Sequence, residues 1–369
     1  MKYSVFLLFL LGIGVRLLFL DGHMFWFDEA ASLSAAQQSF YYMLVDTHPP
    51  LFFFILKLWS YFSTDYRILR LLSVGIGAAS LLVHYSVFHK LMGHKVALLS
   101  MLFLALSPLH IYYSTEVRGY ALLVLLTHIS LWSYLKFIRH KNAFSWGCLT
   151  ISLILGFYTH YYFGLVTIGL IAYTYLKHPA LLKHTFLAIL LSMFSFIPWI
   201  FYTITVPKPG CWCFPPLIGL SAFIIALGSS GLGLITIKDY VFYLNPFYLS
   251  LLLLPAVLLF LSFVLGTKQL LQRKENYILP YIFVAFLVVV MFGIPEKYFS
   301  PRGLMITMPL YYAIAASGIM SIKTDYVRNS LLFTTILTLI ITIFSFNVDP
   351  FFRHPTVLKD YLSYIIYVK

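Results

Sequence analysis

Residues 50–62 read PLFFFILKLWSYF, and the reading of this apolar stretch decides which loops share one side of a membrane. A spanning helix needs about 20 apolar residues at about 1.5 Å each, whereas thirteen reach only about 20 Å. Lys57 interrupts the run, His48-Pro49-Pro50 precedes it, and Asp65 and Arg67 follow. These features fit an interfacial helix on the same side as the loop before it. The charges support that choice. With 50–62 left out of the spans, one side holds the connections 1–2, 89–95, 136–145, 177–184, 266–276 and 322–329. These short connections carry 13 of the 25 Lys and Arg but only 2 of the 12 acidic residues. Cytoplasmic connections are rich in Lys and Arg, so this set is expected inside. Counting 50–62 as a span would scatter the basic clusters over both faces.

Composition sets the class. Of 369 residues, 61% are hydrophobic, 19% aromatic and 10% charged, with a net charge of +13. A soluble domain carries about 25% charged residues, so this chain could not cover a water-facing exterior. Soluble enzymes, nucleic-acid-binding proteins and disordered chains are excluded. The surplus of Lys and Arg reads as a topology signal, and three cysteines are too few for a disulfide framework.

The chain reads as an all-α polytopic membrane protein. Candidate spans fall at 3–20, 68–88, 96–112, 119–135, 146–158, 163–176, 185–204, 241–265, 277–294, 304–321 and 330–346, about eleven in all. The stretch 146–176 is too long for one helix and carries YTHYY in its middle, so it reads as two short helices with a turn. The N-terminus is expected inside, with residues 1–20 an uncleaved anchor because no small-x-small site follows. The first outer loop is 21–67, the long outer loop 205–240 and the outer tail 347–369. No internal repeat or low-complexity linker divides the chain, so 1–369 is read as a single domain.

The outward loops collect the polar chemistry. The first holds Phe25-Trp26-Phe27-Asp28-Glu29 and Asp46-Thr47-His48-Pro49-Pro50; the second holds Tyr112-Tyr113-Ser114-Thr115-Glu116-Val117-Arg118. The short turn is Tyr158-Thr159-His160-Tyr161-Tyr162, and the loop 295–303 carries Lys297 and Arg302. Paired carboxylates, imidazoles and guanidiniums on one side suit an anionic ligand and a reaction that needs a base. Asp28 and Glu29 open a short helix, EAASLSAAQQSF, and adjacent helical residues point about 100° apart. One carboxylate can therefore face a substrate while the other caps or orients. Arg16, four residues from the outer end of the first span, fits either snorkelling to the interface or supporting those carboxylates. Glu116 and Arg118 sit where a span meets water and equally fit a local ion pair. His48 behind two prolines and His160 among tyrosines fit ligand contacts or structural roles. Lys297 and Arg302 fit a phosphate clamp or ordinary loop charges. Cys211 and Cys213 are too tightly spaced for a convincing disulfide and lack His partners for a metal.

The ordered set WFDEA (26–30), THPPLFFFILKLW (47–59), RILRLLSV (67–74), LSPLHIYYSTEVRGYALL (106–123) and YTHYYFGL (158–165) resembles the polyprenyl-phosphate-sugar glycosyltransferases. These are type C membrane enzymes related to the protein O-mannosyltransferases of family 39 and to the aminoarabinose transferase of lipid A. Pro301-Arg302-Gly303 resembles the family's later Arg-Tyr element, from which Gly303 departs. The resemblance is close over 5–175 and becomes one of layout from 205 onward.

What the resemblance implies is an outward-facing cavity where a sugar leaves a lipid phosphate carrier. Asp28 matches the family's catalytic acidic position and Glu116 a second one. Glu29, His48, Arg118, His160, Tyr161, Lys297, Arg302 and Arg16 are the candidate substrate-binding residues. The expected partners are a polyprenyl-phosphate-linked sugar donor, a lipid, glycan or protein acceptor, and membrane lipids; nucleic acid is not expected. No cofactor is required, although Asp28, Glu29 and Glu116 would suit a divalent ion if they converged. The expected location is the inner (plasma) membrane with the site facing the extracytoplasmic side. A ligase or polymerase of lipid-linked glycans, a flippase or transporter of a lipid-linked sugar, and a non-catalytic membrane protein are the alternatives. A flippase would show polar groups near the midplane and paired repeats, neither of which stands out.

Overall fold

The computed structural model describes residues 2–21, 25, 27–37, 48–205, 246–272, 279, 281–283, 285 and 301–348. Every regular element among the described residues is helical. In chain order these are α1 (Lys2–Leu18), α2 (Phe27–Gln37), α3 (Leu51–Ser60), α4 (Tyr66–Met92), α5 (His94–Ala105), α6 (Pro108–Ser114), α7 (Tyr120–His140) and α8 (Ala143–Phe157). After a 3-10 turn at Tyr161–Phe163 come α9 (Gly164–Lys177), α10 (Leu182–Thr205) and α11 (Pro246–Gln272). A further 3-10 segment, Pro301–Thr307, leads into α12 (Met308–Met320), and α13 is Asp325–Val348.

Among the described residues six helices are long and apolar enough to cross a membrane, or seven if the bent pair α5–α6 counts as one span. Many large apolar side chains on α1, α10 and α13, such as Phe6, Phe194 and Phe333, are exposed. A soluble protein would not leave such faces to water, and in a bilayer they meet lipid. The protein is an integral membrane protein.

The stretch 50–62 forms only the ten-residue helix α3, too short to span, and the structure agrees with its reading as a non-spanning helix. The expected span 96–112 is broken. His94–Ala105 and Pro108–Ser114 meet at 60°. Pro108 has no N–H to continue the helical ladder, and the Ser107 side chain accepts from the His110 N–H at 3.2 Å to start a new helix. The break aims α6 and the segment 115–119 across the end of the bundle. The expected span 241–265 is shifted, its helix running from Pro246 to Gln272. Most of 277–294, the long loop 206–245 and the tail from 349 lie outside the described residues.

The bundle is built by α4 against α5 and α7, α7 against α8, α8 against α10, and α5 against α12. Helices α11 and α12 also cross, backbone against backbone. A Cβ on Gly266 would collide with the Ile314 carbonyl, and one on Gly318 with the Ser262 carbonyl. Small residues let two backbones touch where lipid supplies no hydrophobic drive. At one end of the bundle the connections 19–21, 48–50, 115–119, 158–163 and 301–303 converge with α2. The Leu51 N–H donates to the Tyr158 carbonyl at 3.0 Å, and Arg67 pairs with Asp21 at 3.0 Å.

Candidate active site

The two adjacent carboxylates of α2 face different partners, as their angular separation requires. Arg302 Nη1 donates to Asp28 Oδ2 at 2.6 Å. Arg118 Nη2 lies 4.0 Å from the same oxygen, and Arg118 Nη1 donates to Ser32 Oγ at 3.1 Å, one turn along α2. His48 sits beside this pair, its Nδ1 3.4 Å from Arg118 Nη2 and its Nε2 3.4 Å from the Tyr120 hydroxyl. The His160 ring lies 5.5 Å from that of His48 and 6.0 Å from that of Tyr120. His160 Nδ1 accepts the Tyr162 N–H at 3.2 Å, so Nε2 carries the proton of the neutral ring. Asp28, His48, Arg118, His160 and Arg302 therefore come together in one cluster, although five separate chain segments supply them. Tyr161 stands at its edge, 39% exposed, and accepts from Trp199 Nε1 at 3.1 Å.

The electrostatics separate the two candidate catalytic acids. Burial pushes the Asp28 carboxyl up, but the Arg118 and Arg302 guanidiniums outweigh it and hold it below the usual carboxylate range. Asp28 is ionised at neutral pH. Glu116 is fully buried, and burial pushes it up to about 8; Arg302 draws it down, while Asp28 and Glu29 push it further up. At pH 7 Glu116 is mostly protonated. Two carboxyls near one guanidinium thus hold opposite protonation states, an arrangement that separates base from acid. Burial also pulls His160 well below the usual imidazole value, with the charges of His48 and Arg118 adding to the effect.

Glu29 turns to α4. Arg70 donates to both its oxygens, Nε at 2.9 Å and Nη2 at 2.7 Å, and both side chains are fully buried. Removing one partner of such a buried pair leaves an uncompensated charge and costs about 3–5 kcal/mol. Glu29, expected to touch substrate, is occupied within the protein. Arg16 likewise neither snorkels nor reaches the Asp28 pocket. It is fully buried and donates to His110 Nδ1 at 2.5 Å and to the Gly12 carbonyl at 2.7 Å, tying α1 to α6. Lys297, Cys211 and Cys213 lie outside the described residues. Arg70 was not singled out from the sequence. The signal was present in an Arg that follows Arg67 by three residues at the start of an apolar span, where a buried charge needs a partner.

Gly303, the departure from the Arg-Tyr element, has a local reason. A Cβ there would collide with the Tyr162 ring. Glycine lets the segment carrying Arg302 lie flat on the YTHYY turn, which brings the guanidinium to Asp28. Four residues beyond Arg302, Ile306 lines an apolar cleft between α7, α9 and α12 whose wall includes Leu131, Gly169 and Leu170 and, near the far end of α4, Leu91.

Asp28 is held by Arg302, both Glu29 oxygens are held by Arg70, and among the described residues no three His, Cys, Asp or Glu side chains form a ligand set.

Known proteins share this architecture. The family model for dolichyl-phosphate-mannose-protein mannosyltransferase matches residues 47–202, which carry α3 and His48, Arg70, Glu116, Arg118 and His160. The fold is similar to that of the Archaeoglobus fulgidus oligosaccharyltransferase in its apo form, with TM-score 0.62 and 12% identity over 94% of this chain and 55% of that one. It is also similar to ArnT from Cupriavidus metallidurans bound to undecaprenyl phosphate, with TM-score 0.58 and 15% identity over 86% of this chain and 60% of that one. A third likeness is the archaeal oligosaccharyltransferase AglB from Archaeoglobus fulgidus with an inhibitory peptide and a dolichol-phosphate, with TM-score 0.57 and 10% identity over 94% of this chain and 55% of that one. This chain spans 55% to 60% of the length of these relatives. No curated protein matches it. The chain is thus similar to the dolichyl-phosphate-mannose-protein mannosyltransferases over 47–202 and shares the fold of the oligosaccharyltransferase and of ArnT.

Proposed function

We propose that the protein transfers a sugar from a polyprenyl-phosphate carrier to an acceptor hydroxyl or amine, with Asp28 as general base. The observation that carries this reading is the Asp28 carboxylate held between Arg302 and Arg118, with protonated Glu116 close by and an apolar cleft whose lining reaches Ile306, four residues from Arg302.

The chemistry needs three things of the protein. The acceptor must lose a proton, which a carboxylate within hydrogen-bond reach can take. The acceptor heteroatom then forms its bond to the anomeric carbon from the side opposite the phosphate. The bond from that carbon to the phosphate oxygen breaks, and the electron pair leaves with the phosphate. Arg302 and Arg118 neutralise that charge through charge-assisted hydrogen bonds. Protonated Glu116 can donate to the departing phosphate. Direct displacement inverts the anomeric configuration.

The Arg–Asp contacts suit this sequence of events. In the structure Asp28 is ionised but weakly basic, because two guanidiniums stabilise its charge. A donor phosphate brings its own negative charge to the same guanidiniums. Their hold on Asp28 weakens, and the carboxylate becomes a stronger base when the donor is bound.

The apolar lining of the cleft suits the carrier's hydrocarbon tail, and Ile306 links it to the segment that carries Arg302. The charge asymmetry supports an extracytoplasmic site in the inner (plasma) membrane. The test is a reconstituted assay for free polyprenyl phosphate supplied with lipid-linked sugars. A transferase releases it in step with glycosylated acceptor. A flippase moves the carrier intact, and that result would replace this reading.

A further inference from the structure

Four chain segments meet at one buried ion pair outside the reacting pocket. Arg70 on α4 grips Glu29 on α2 through two hydrogen bonds of 2.9 and 2.7 Å. Its remaining terminal nitrogen, Nη1, donates to the Leu20 carbonyl beyond α1 at 2.7 Å. Glu29 Oε1 also accepts the Val117 N–H at 3.0 Å. Arg70, Glu29 and Val117 are all fully buried. The Tyr66 ring lies 5.2 Å from the Arg70 guanidinium carbon and closes over it.

The neighbours of these residues in the chain are the groups to which the reaction is assigned. Asp28 directly precedes Glu29, while Glu116 and Arg118 flank Val117. One carboxylate thus fixes the start of α2 and the segment 115–119 to the same guanidinium. We infer that Arg70 and Glu29 are a positioning pair that sets the separation of Asp28 from Glu116 and Arg118. This rests on the transferase reading of the pocket and adds residues that act without touching substrate.

The geometry says why these residue types are needed. A lysine would keep the charge but offers a point contact in place of the planar fork, and it cannot span Glu29 and the Leu20 carbonyl in the same way. A glutamine at 29 would keep the shape but lose one of the acceptors that Arg70 and Val117 use. Neither change alters a group that meets the donor. The expected consequence is misalignment, and displacement of reacting groups by about 1 Å can cost about 10²-fold in rate.

The experiment uses Arg70→Lys, Glu29→Gln and the double variant in the full-length protein, with two readouts. In the transfer assay each single variant is expected to lower kcat by about 10²-fold while the donor KM stays within about threefold. The double variant is expected to be no worse than the worse single, because the pair acts as a unit. The second readout is amide hydrogen exchange, which needs no activity. Arg70→Lys should speed exchange at the Val117 amide and across 27–37 by about tenfold and leave the middle of α7 unchanged. Wild-type kcat in Arg70→Lys overturns the inference. So does unchanged exchange at Val117, or a rise spread evenly over α4 and α7, which marks a role in overall folding. If the wild-type protein releases no polyprenyl phosphate, the transferase reading falls, and the exchange measurement still decides whether the clamp exists.

Discussion

Arg302 and Asp28, 274 residues apart in the chain, are joined by a hydrogen bond of 2.6 Å. That contact closes the pocket, because it brings the segment before α12 onto the first turn of α2. It also holds the carboxylate ionised beside a buried, protonated Glu116.

Replacing Arg302 should act on both binding and pH. Asp28 works as the ionised form, and Arg302 is one of the groups that keep it so at low pH. In Arg302→Gln the Asp28 carboxyl rises, and the acid limb of kcat/KM moves to higher pH. The donor KM rises as well, by about tenfold or more for a lost charge-assisted contact to phosphate. A pH–rate profile of the variant checks the first effect. An acid limb that stays in place would detach Asp28 from the titrating base.

Glu116 should set the alkaline side. Its value of about 8 means that the protonated form is lost as pH climbs through that point. Activity is expected to fall there, and Glu116→Gln should flatten the limb. Stability should follow the same group. A carboxyl raised from 4.5 to about 8 contributes stability fully below about pH 4.5, and this contribution is lost as pH rises through 8. Thermal midpoints of wild type and Glu116→Gln between pH 5 and 9 should therefore converge at low pH and part at high pH.

Gly303→Ala should disturb the site without touching its chemistry. The added methyl meets the Tyr162 ring, so either the ring or the segment bearing Arg302 has to shift. Overpacking of this kind costs about 1–3 kcal/mol. Lowered thermal stability together with a raised donor KM is the expected pair of results. A variant with wild-type values of both would show that the contact relaxes freely.

The cleft offers a test by chain length. Gly169→Leu places a side chain on its wall. The donor KM should rise for a long polyprenyl chain and stay unchanged for a donor of one or two isoprene units, as titration with a chain-length series would record. An equal effect on both would move the tail elsewhere.

The sequence carried much of this arrangement and stopped at identifiable points. Apolar run length, Lys57 and the prolines before it were enough to read 50–62 as a non-spanning helix, because those properties are local. The angular separation of Asp28 and Glu29 correctly implied different duties. Which carboxylate took which partner depended on Arg70 and Arg302, and no local pattern shows that two guanidiniums far apart in the chain approach the same turn. The break at Ser107-Pro108 was written in a proline and a capping serine, yet the apolar run through 96–112 outweighed it in the reading. Arg16 illustrates the limit from the other side. Its position near a span end suggested snorkelling, whereas a buried His110 one bend further along the fold provides the partner.

The central claim is that Asp28 takes the acceptor proton as the sugar leaves its phosphate carrier. The most direct measurement places wild type and Asp28→Asn side by side in proteoliposomes with a labelled polyprenyl-phosphate sugar, and follows free polyprenyl phosphate and the anomeric configuration of the product. The account expects wild type to release carrier and glycosylated acceptor in equal amounts with inverted configuration. It expects Asp28→Asn to fold, bind donor and transfer at least about 10²-fold more slowly. Wild-type turnover in Asp28→Asn, or a product that keeps the donor's configuration, would contradict it.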